Sequence, residues 1–201
     1  MYDIQNNNTF VKLFDGKTLD GWKMAGKGNF INIESEKALL THGGMGLLWY
    51  YKKKFKDFIL TIEWKVSNKS DNSGVFVRFP NPFTDPNIAI EYGYEIQIDD
   101  IGFPDGNPIH RTGAIYNYKG PSSQKTKSLS KQLAVGRWNT FEIIVIQQSY
   151  SVTLNKIKIV TNFIGNRSLE GYIGLQNHDD GSKVYFRNIM IKELKSKNLS
   201  L

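Results

Sequence analysis

Apolar and polar residues alternate with a period of two along much of this chain, and turn-forming clusters separate the alternating runs. In 58–66 the even positions Phe58, Leu60, Ile62, Trp64 and Val66 are apolar, whereas Thr61, Glu63 and Lys65 are polar. A strand points successive side chains to opposite faces, so the even set lines a core and Glu63 looks away from it. In 94–99, Ile96 and Ile98 alternate with Glu95, Gln97 and Asp99; in 171–178, Ile173 and Leu175 oppose Tyr172, Gln176 and His178. The run 140–147 is apolar on both faces and predicts a central strand. In the last run Val184 and Phe186 are even, but Ile189 and Ile191 are odd. One extra residue near Arg187 and Asn188 restores a single apolar face, so a β-bulge is expected there.

Strands are also expected at 10–14, 30–33, 38–41, 47–49, 74–79, 113–118, 151–154 and 156–161, with the last one spanning 183–193. Asp15-Gly16, Asp71-Asn72-Ser73-Gly74, Asp105-Gly106 and Asp180-Gly181 predict turns between them. No segment carries a long 3.6-residue apolar period, and no internal repeat is visible. About a dozen short strands predict an all-β fold, a two-sheet jelly-roll sandwich. One domain over 10–194 is expected, between tails at 1–9 and 195–201.

Composition narrows the chemistry. Aromatic content of 13% and 18 Gly fit strands and tight turns. The absence of Cys excludes a disulfide framework, a thiol nucleophile and a cysteine zinc site. No apolar run approaches the roughly 18 residues of a membrane span, so no membrane partner is expected. The first residues have neither a basic start nor an apolar segment, which predicts a cytoplasmic protein unless an export leader has been removed. The net charge is +7, but from Asp71 to Asp105 seven acids face the single base Arg78. The lysines fall in short runs such as Lys52-Lys53-Lys54, read as solvated faces, so no nucleic-acid partner is expected.

The strongest candidate site is the stripe of Glu95, Gln97 and Asp99. Turn-rich loops at 81–87 and 99–108 flank it and are able to wall a cleft, and Tyr92, Tyr94, Phe103, Tyr116 and Tyr118 lie nearby in sequence. Aromatic faces beside carboxylates suit a sugar, apolar on its C–H faces and polar on its rim. On a regular strand Glu95 and Asp99 lie about 13 Å apart. That exceeds both the roughly 5–5.5 Å of a retaining glycosidase pair and the roughly 6.5–9.5 Å of an inverting one. Glu63 becomes a cross-strand partner of Glu95 if their strands are neighbours. If Val75, Val77 and Phe79 face the core, Arg78 shares the other face with Phe76 and holds a substrate oxygen near the carboxylates. The same carboxylates and Gln97 offer oxygen ligands for a divalent cation such as Ca²⁺ or Mg²⁺. His42 and His110 read as surface or structural; His178 shares the polar face of Gln176.

Several stretches, in order, resemble the 3-keto-disaccharide hydrolase family, formerly a domain of unknown function. They are Leu13-Phe14-Asp15-Gly16-Lys17-Thr18-Leu19-Asp20-Gly21-Trp22, Asp71-Asn72-Ser73-Gly74-Val75-Phe76-Val77-Arg78, Gly93-Tyr94-Glu95-Ile96-Gln97-Ile98-Asp99, Thr112-Gly113-Ala114-Ile115-Tyr116, Gly136-Arg137-Trp138-Asn139, Gly174-Leu175-Gln176-Asn177-His178 and Val184-Tyr185-Phe186-Arg187-Asn188-Ile189. The resemblance implies a concanavalin A-like sandwich, as in lectins and glucanases, and a small carbohydrate substrate already oxidised at its 3-hydroxyl. Cleavage is then expected by base-assisted elimination and hydration in a concave cleft. Glu95 is expected as the base, with Asp99 or Glu63 as alternatives, and Arg78 or a carboxylate-held metal as enolate stabiliser. Gln97, Tyr116, Gln176, His178 and Ser73 are expected to bind the sugar, and 81–92 to tune its choice. A non-catalytic carbohydrate-binding module using the same face is the alternative expectation.

Overall fold

The computed structural model describes residues 9–122 and 133–195. Its strands are β1 (Val11–Lys12), β2 (Trp22–Gly26), β3 (Asn29–Ile33), β4 (Ala38–His42), β5 (Gly46–Tyr50), β6 (Phe58–Val66), β7 (Asn72–Phe79), β8 (Tyr94–Asp99), β9 (Asn139–Ile146), β10 (Ser149–Leu154), β11 (Ile157–Ile164), β12 (Tyr172–Asn177) and β13 (Val184–Glu193), with a short α-helix, α1 (Asn87–Tyr92), before β8 and single 3-10 turns at Glu34–Glu36 and Pro108–His110. They form two antiparallel sheets. One has eight strands, in the order β11-β10-β9-β6-β13-β4-β3 with β1 added to β13; the other has five, β2-β5-β12-β7-β8. The all-β sandwich expected from the alternation is therefore present. The tail residues 1–8 and 196–201 lie outside the described residues.

The core sits between the sheets, where the alternation placed it. Phe58, Leu60, Ile62 and Trp64 of β6 and Phe141, Ile143 and Val145 of β9 meet Ile96 and Ile98 of β8 and Ile173 and Leu175 of β12. Each such side chain contributes about 1.5–3 kcal/mol through burial. The bulge expected in the last strand is there: Arg187 pairs with Glu63 but Met190 with Thr61, and Asn188 takes a φ of 49°. It brings Val184, Phe186, Ile189 and Ile191 onto one buried face.

Other expectations change. β2 and α1 have no counterpart among the expected elements. The strand expected at 10–14 shrinks to β1. Residues 71–74 are not simply a turn, because β7 already begins at Asn72. The stretch 113–118 makes isolated bridges rather than a strand, Ile115 facing Ile96 and Lys119. β9 is flanked on both sides, but its outer-face residues Ile144 and Ile146 are half-buried.

A second bulge, in β7, reverses the reading of Arg78. Ile173 pairs with Val77 and Tyr172 with Phe79, leaving Arg78 as the extra residue at φ 57°. Phe79 then joins Phe76 in an outer-face cluster. The Arg78 side chain is fully buried and reaches the opposite sheet. Its guanidinium donates to the Lys56 and Gln147 carbonyls, to Tyr150 Oη (3.3 Å) and to Asp57 Oδ1 (3.1 Å). Arg78 is a strut between the sheets. Arg78→Met should destabilise the fold by about 3–5 kcal/mol in urea unfolding, because Asp57 then stays buried without its guanidinium. Adding Asp57→Asn should recover part of that loss.

Candidate functional site

The outer face of the five-stranded sheet carries the predicted stripe. Pairing aligns Asn72 with Asp99, Gly74 with Gln97 and Phe76 with Glu95. The register that pairs Leu175 with Val75 puts Gln176 on the other side of Gly74. Gln97, Gly74 and Gln176 thus form one row across three strands, spanning roughly 10 Å. Two segments border this floor. The chain after β7 crosses the face, anchors Thr84 O on Gly26 N (2.9 Å) and packs Ala89 of α1 over Phe76, Phe79, Leu47 and Trp49. On the free edge of β8, Gln97 N donates to Ala114 O (3.0 Å) and Tyr116 N to Glu95 O (3.0 Å). Tyr116 is therefore the lateral neighbour of Glu95.

Glu95 is 7% exposed, and among the described residues no cation stands within salt-bridge distance of it. Its carboxyl lies over Gly74, where a side chain would occupy the same space. Gln97, with its amide nitrogen turned inward, donates to Glu95 Oε1 and Ser73 O, both at 3.1 Å; the other orientation offers only Asn72 Oδ1 at 3.4 Å, and the first satisfies more of the network. Desolvation pushes the Glu95 carboxyl from its ordinary 4.5 up to about 8. The Tyr116 hydroxyl is raised too, by burial and then by the nearby charges of Glu95, Asp99 and Asp105. Gln176 Oε1 and Trp49 Nε1 are buried on this face without a hydrogen-bond partner among the described residues, an acceptor and a donor left for other polar groups.

The remaining candidates are arranged differently from the sequence expectation. Asp99 shares the stripe, but Oδ1 accepts from Ile101 N (2.9 Å) and Gly102 N (2.8 Å), and Oδ2 from Phe103 N (2.8 Å) and Asn72 Nδ2 (3.3 Å). It organises the following loop, and its lone pairs are not free for proton abstraction. Glu63 lies in the other sheet, bonded to Arg187 (2.7 Å); β6 is not a neighbour of β8. Arg78 is the strut described above, so neither it nor Glu63 reaches Glu95. Ser73 faces inward and donates to Gln176 O (2.6 Å), tying β7 to β12. His178 is exposed at the end of β12, with Nδ1 on Asp179 Oδ2 (2.7 Å). Of the expected aromatic group, Tyr94 is buried against Tyr150 and Phe163, and Tyr118 packs with it away from the stripe.

Asp99 has spent its oxygens on the loop, and no group of three His, Asp or Glu side chains converges among the described residues. A groove of about 580 Å³ on the outer face of the larger sheet is lined by Thr61, Thr140, Glu142, Thr153, Asn155, Lys156 and Lys158. None of its lining side chains carries a buried unpartnered polar atom, whereas Gln176 and Trp49 on the face of Glu95 do, so the chemistry points to Glu95 instead. Sequence reasoning missed Gly74, Trp49 and His110. His110 stacks against Tyr116 at 5.1 Å and is held by Asp105 and Asn117, both at 2.8 Å. Only Asp105, five residues upstream, could have hinted at that arrangement.

Residues 9–192 match the family described as the 3-keto-alpha-glucoside-1,2-lyase-like domain. The chain belongs to this family. It is 28% identical, over a 233-residue alignment, to a 3-keto-disaccharide hydrolase of Bacteroides thetaiotaomicron, covering 92% of this chain and 78% of that one. A Parabacteroides distasonis crystal structure whose name proposes a glycosyl hydrolase superposes with a TM-score of 0.73 at 23% identity, covering 92% and 94% of the two chains. The carbohydrate-binding module CBM66 of Bacillus subtilis shares the fold at a TM-score of 0.60 and 14% identity, over 86% and 96%. Family membership makes the chain a carbohydrate-active hydrolase in the broad sense.

Two outcomes follow from the carboxylates. Asp99→Asn should expose the Phe103 amide to hydrogen exchange about tenfold faster or more, because a charge-assisted bond is lost. For Glu95, the folded chain retains a proton that the unfolded chain releases above pH 4.5, so stability falls as pH rises from about 4.5 to about 8. Glu95→Gln should therefore raise the melting temperature at pH 8 and change it little at pH 4.

Proposed function

We propose that this chain cleaves 3-keto-glycosides, with Glu95 as the base that removes the C2 proton. The observation that carries this reading is the Glu95 carboxyl on the polar face, buried, with no cation within salt-bridge distance among the described residues and raised to about 8. A direct glycosidic displacement needs two carboxyl groups about 5–9.5 Å apart. Here the second carboxylate of the stripe serves the loop and Glu63 lies in the other sheet. One base suffices when a ketone at C3 acidifies the proton on C2.

Glu95 takes that proton, and the C2–H electron pair passes into the enolate of the C3 carbonyl. The enolate re-forms the ketone as the C1=C2 bond forms and the C1–O bond breaks, and the departing aglycone oxygen takes a proton from water. Hydration reverses the proton movement: the hydroxide left by that water adds to C1, and C2 regains the proton held by Glu95. The elimination corresponds to the 1,2-lyase in the family description, and the sum of both stages to the hydrolase name of the Bacteroides relative. Gln176, Gln97 and Tyr116 border the carboxyl and are assigned to positioning the sugar. With Arg78 withdrawn, the enolate depends on neutral donors, of which the Tyr116 hydroxyl is the one that feels the Glu95 charge.

The test is sugar release from a 3-keto-disaccharide against its unoxidised parent. Release is expected from the keto compound alone, unchanged by EDTA, and about 10²–10⁴-fold slower in Glu95→Gln. Because the ionised form is the active one, kcat/KM should climb as pH rises toward about 8 and level off above it. Cleavage of the parent sugar would overturn the reading, and binding of the keto sugar without turnover would make the chain a carbohydrate-binding module.

A further inference from the structure

The glycine in the middle of β7 stands where a strand ordinarily prefers a side chain, since glycine weakens strand interiors. Its backbone does not demand it: Gly74 is absent from the glycines of positive φ, and its extended conformation suits any residue. The reason is space. A Cβ built there would lie 2.7 Å from Glu95 Cγ and 2.8 Å from Cδ, and closer still to Oε1. The three nearest atoms all belong to Glu95, and none to the backbone. Both the carboxyl and the Cγ that carries it are in the way, so a rotation of the carboxyl alone would not relieve the clash. Beside this hollow, Gln97 supplies a donor to Oε1 at 3.1 Å.

We infer that Gly74 is a positioning residue: its missing side chain forms the seat that holds the Glu95 carboxyl inside the face, beside Gln97 and Gln176. The catalytic consequence rests on the reading of Glu95 as base; the seat itself does not. A methyl group at 74 swings the Glu95 side chain out of the hollow toward solvent. The carboxyl then regains hydration, loses its Gln97 donor and no longer stands where the sugar ring is presented.

Three readouts test this on the full chain. The first is the titration of the Glu95 carboxyl, followed by carbon NMR and assigned by its absence in Glu95→Gln. In Gly74→Ala the midpoint should fall from about 8 toward the ordinary 4.5. The second is turnover of the 3-keto-disaccharide, where kcat should drop about 100-fold, as expected for a misplaced catalytic group, with KM changing much less. The third is a thermal-melting cycle: Gly74→Ala should lower the melting temperature when Glu95 is present and not when residue 95 carries Glu95→Ala. If Gly74→Ala alone fails to fold, folding restored by Glu95→Ala supports the seat, and failure of the double variant overturns it. An unchanged Glu95 midpoint in Gly74→Ala, or equal destabilisation in both backgrounds, also overturns it. If the wild-type chain does not turn over the keto sugar, the proposed reaction fails, while titration and melting still decide the seat.

Discussion

Burying a carboxyl group without a cation beside it forces its neighbourhood to take a particular form. Charge is costly there, so the group keeps its proton to about pH 8. A nearby guanidinium would remove that cost and leave a weak base. The acidic stretch from Asp71 to Asp105 contains one cation, Arg78, and the β7 bulge turns it to the opposite side of the strand, into Asp57 and the carbonyls of Lys56 and Gln147. The same bulge sends Phe79 outward, where it joins Phe76, Trp49 and Ala89 in the apolar cluster beside Glu95. One inserted residue therefore removes the counter-charge and supplies part of the desolvating wall.

Glu95 and Asp99 share a strand and a face, yet local supply of N–H groups separates their roles. Asp99 ends β8, where the backbone leaves the ladder and the amides of Ile101, Gly102 and Phe103 turn back on its oxygens. Glu95 sits within the strand, flanked by β7 on one side and by the Tyr116 segment on the other. The amides around it are committed to those pairings, and among the described residues it is a side-chain amide, that of Gln97, that reaches it. Two acids on one stripe thus become a loop anchor and an uncompensated proton acceptor.

The faces of the strands were readable in the sequence because one side of each is buried, and a period of two then records burial directly. The 58–66, 94–99 and 171–178 readings rest on that, as does the bulge at Asn188, where a parity slip in four apolar residues exposes the insertion. The β7 bulge left no such trace. Val75, Phe76, Val77 and Phe79 are all apolar, so both registers look alike, and the pattern puts Arg78 on the outer face where the bulge turns it inward. β2 was obscured by Lys23 and its glycine ends, and α1 is too short to establish a helical period. The sheet partners of Glu63 and Glu95 depend on long-range pairing that a local pattern does not encode. The turn-like neighbours of Gly74 hide its reason in the sequence, which is the Glu95 side chain lying above it.

In the proposed cycle the raised affinity of Glu95 for a proton serves both halves. Elimination needs the ionised form to accept the C2 proton, and hydration needs a proton delivered back to C2. A carboxyl at its ordinary value would be ionised throughout the neutral range and would return a proton poorly. One poised near 8 is present in both forms around that pH, so the same atom can receive and donate without a second acid on the face. The cost appears as lost stability above pH 4.5, and the frame absorbs it through an inter-sheet core and the Arg78–Asp57 strut, neither of which touches the sugar face. Preserving a proton-exchanging group in a desolvated seat, and turning the Arg78 cation away from it, is one physical requirement met from several positions in the fold.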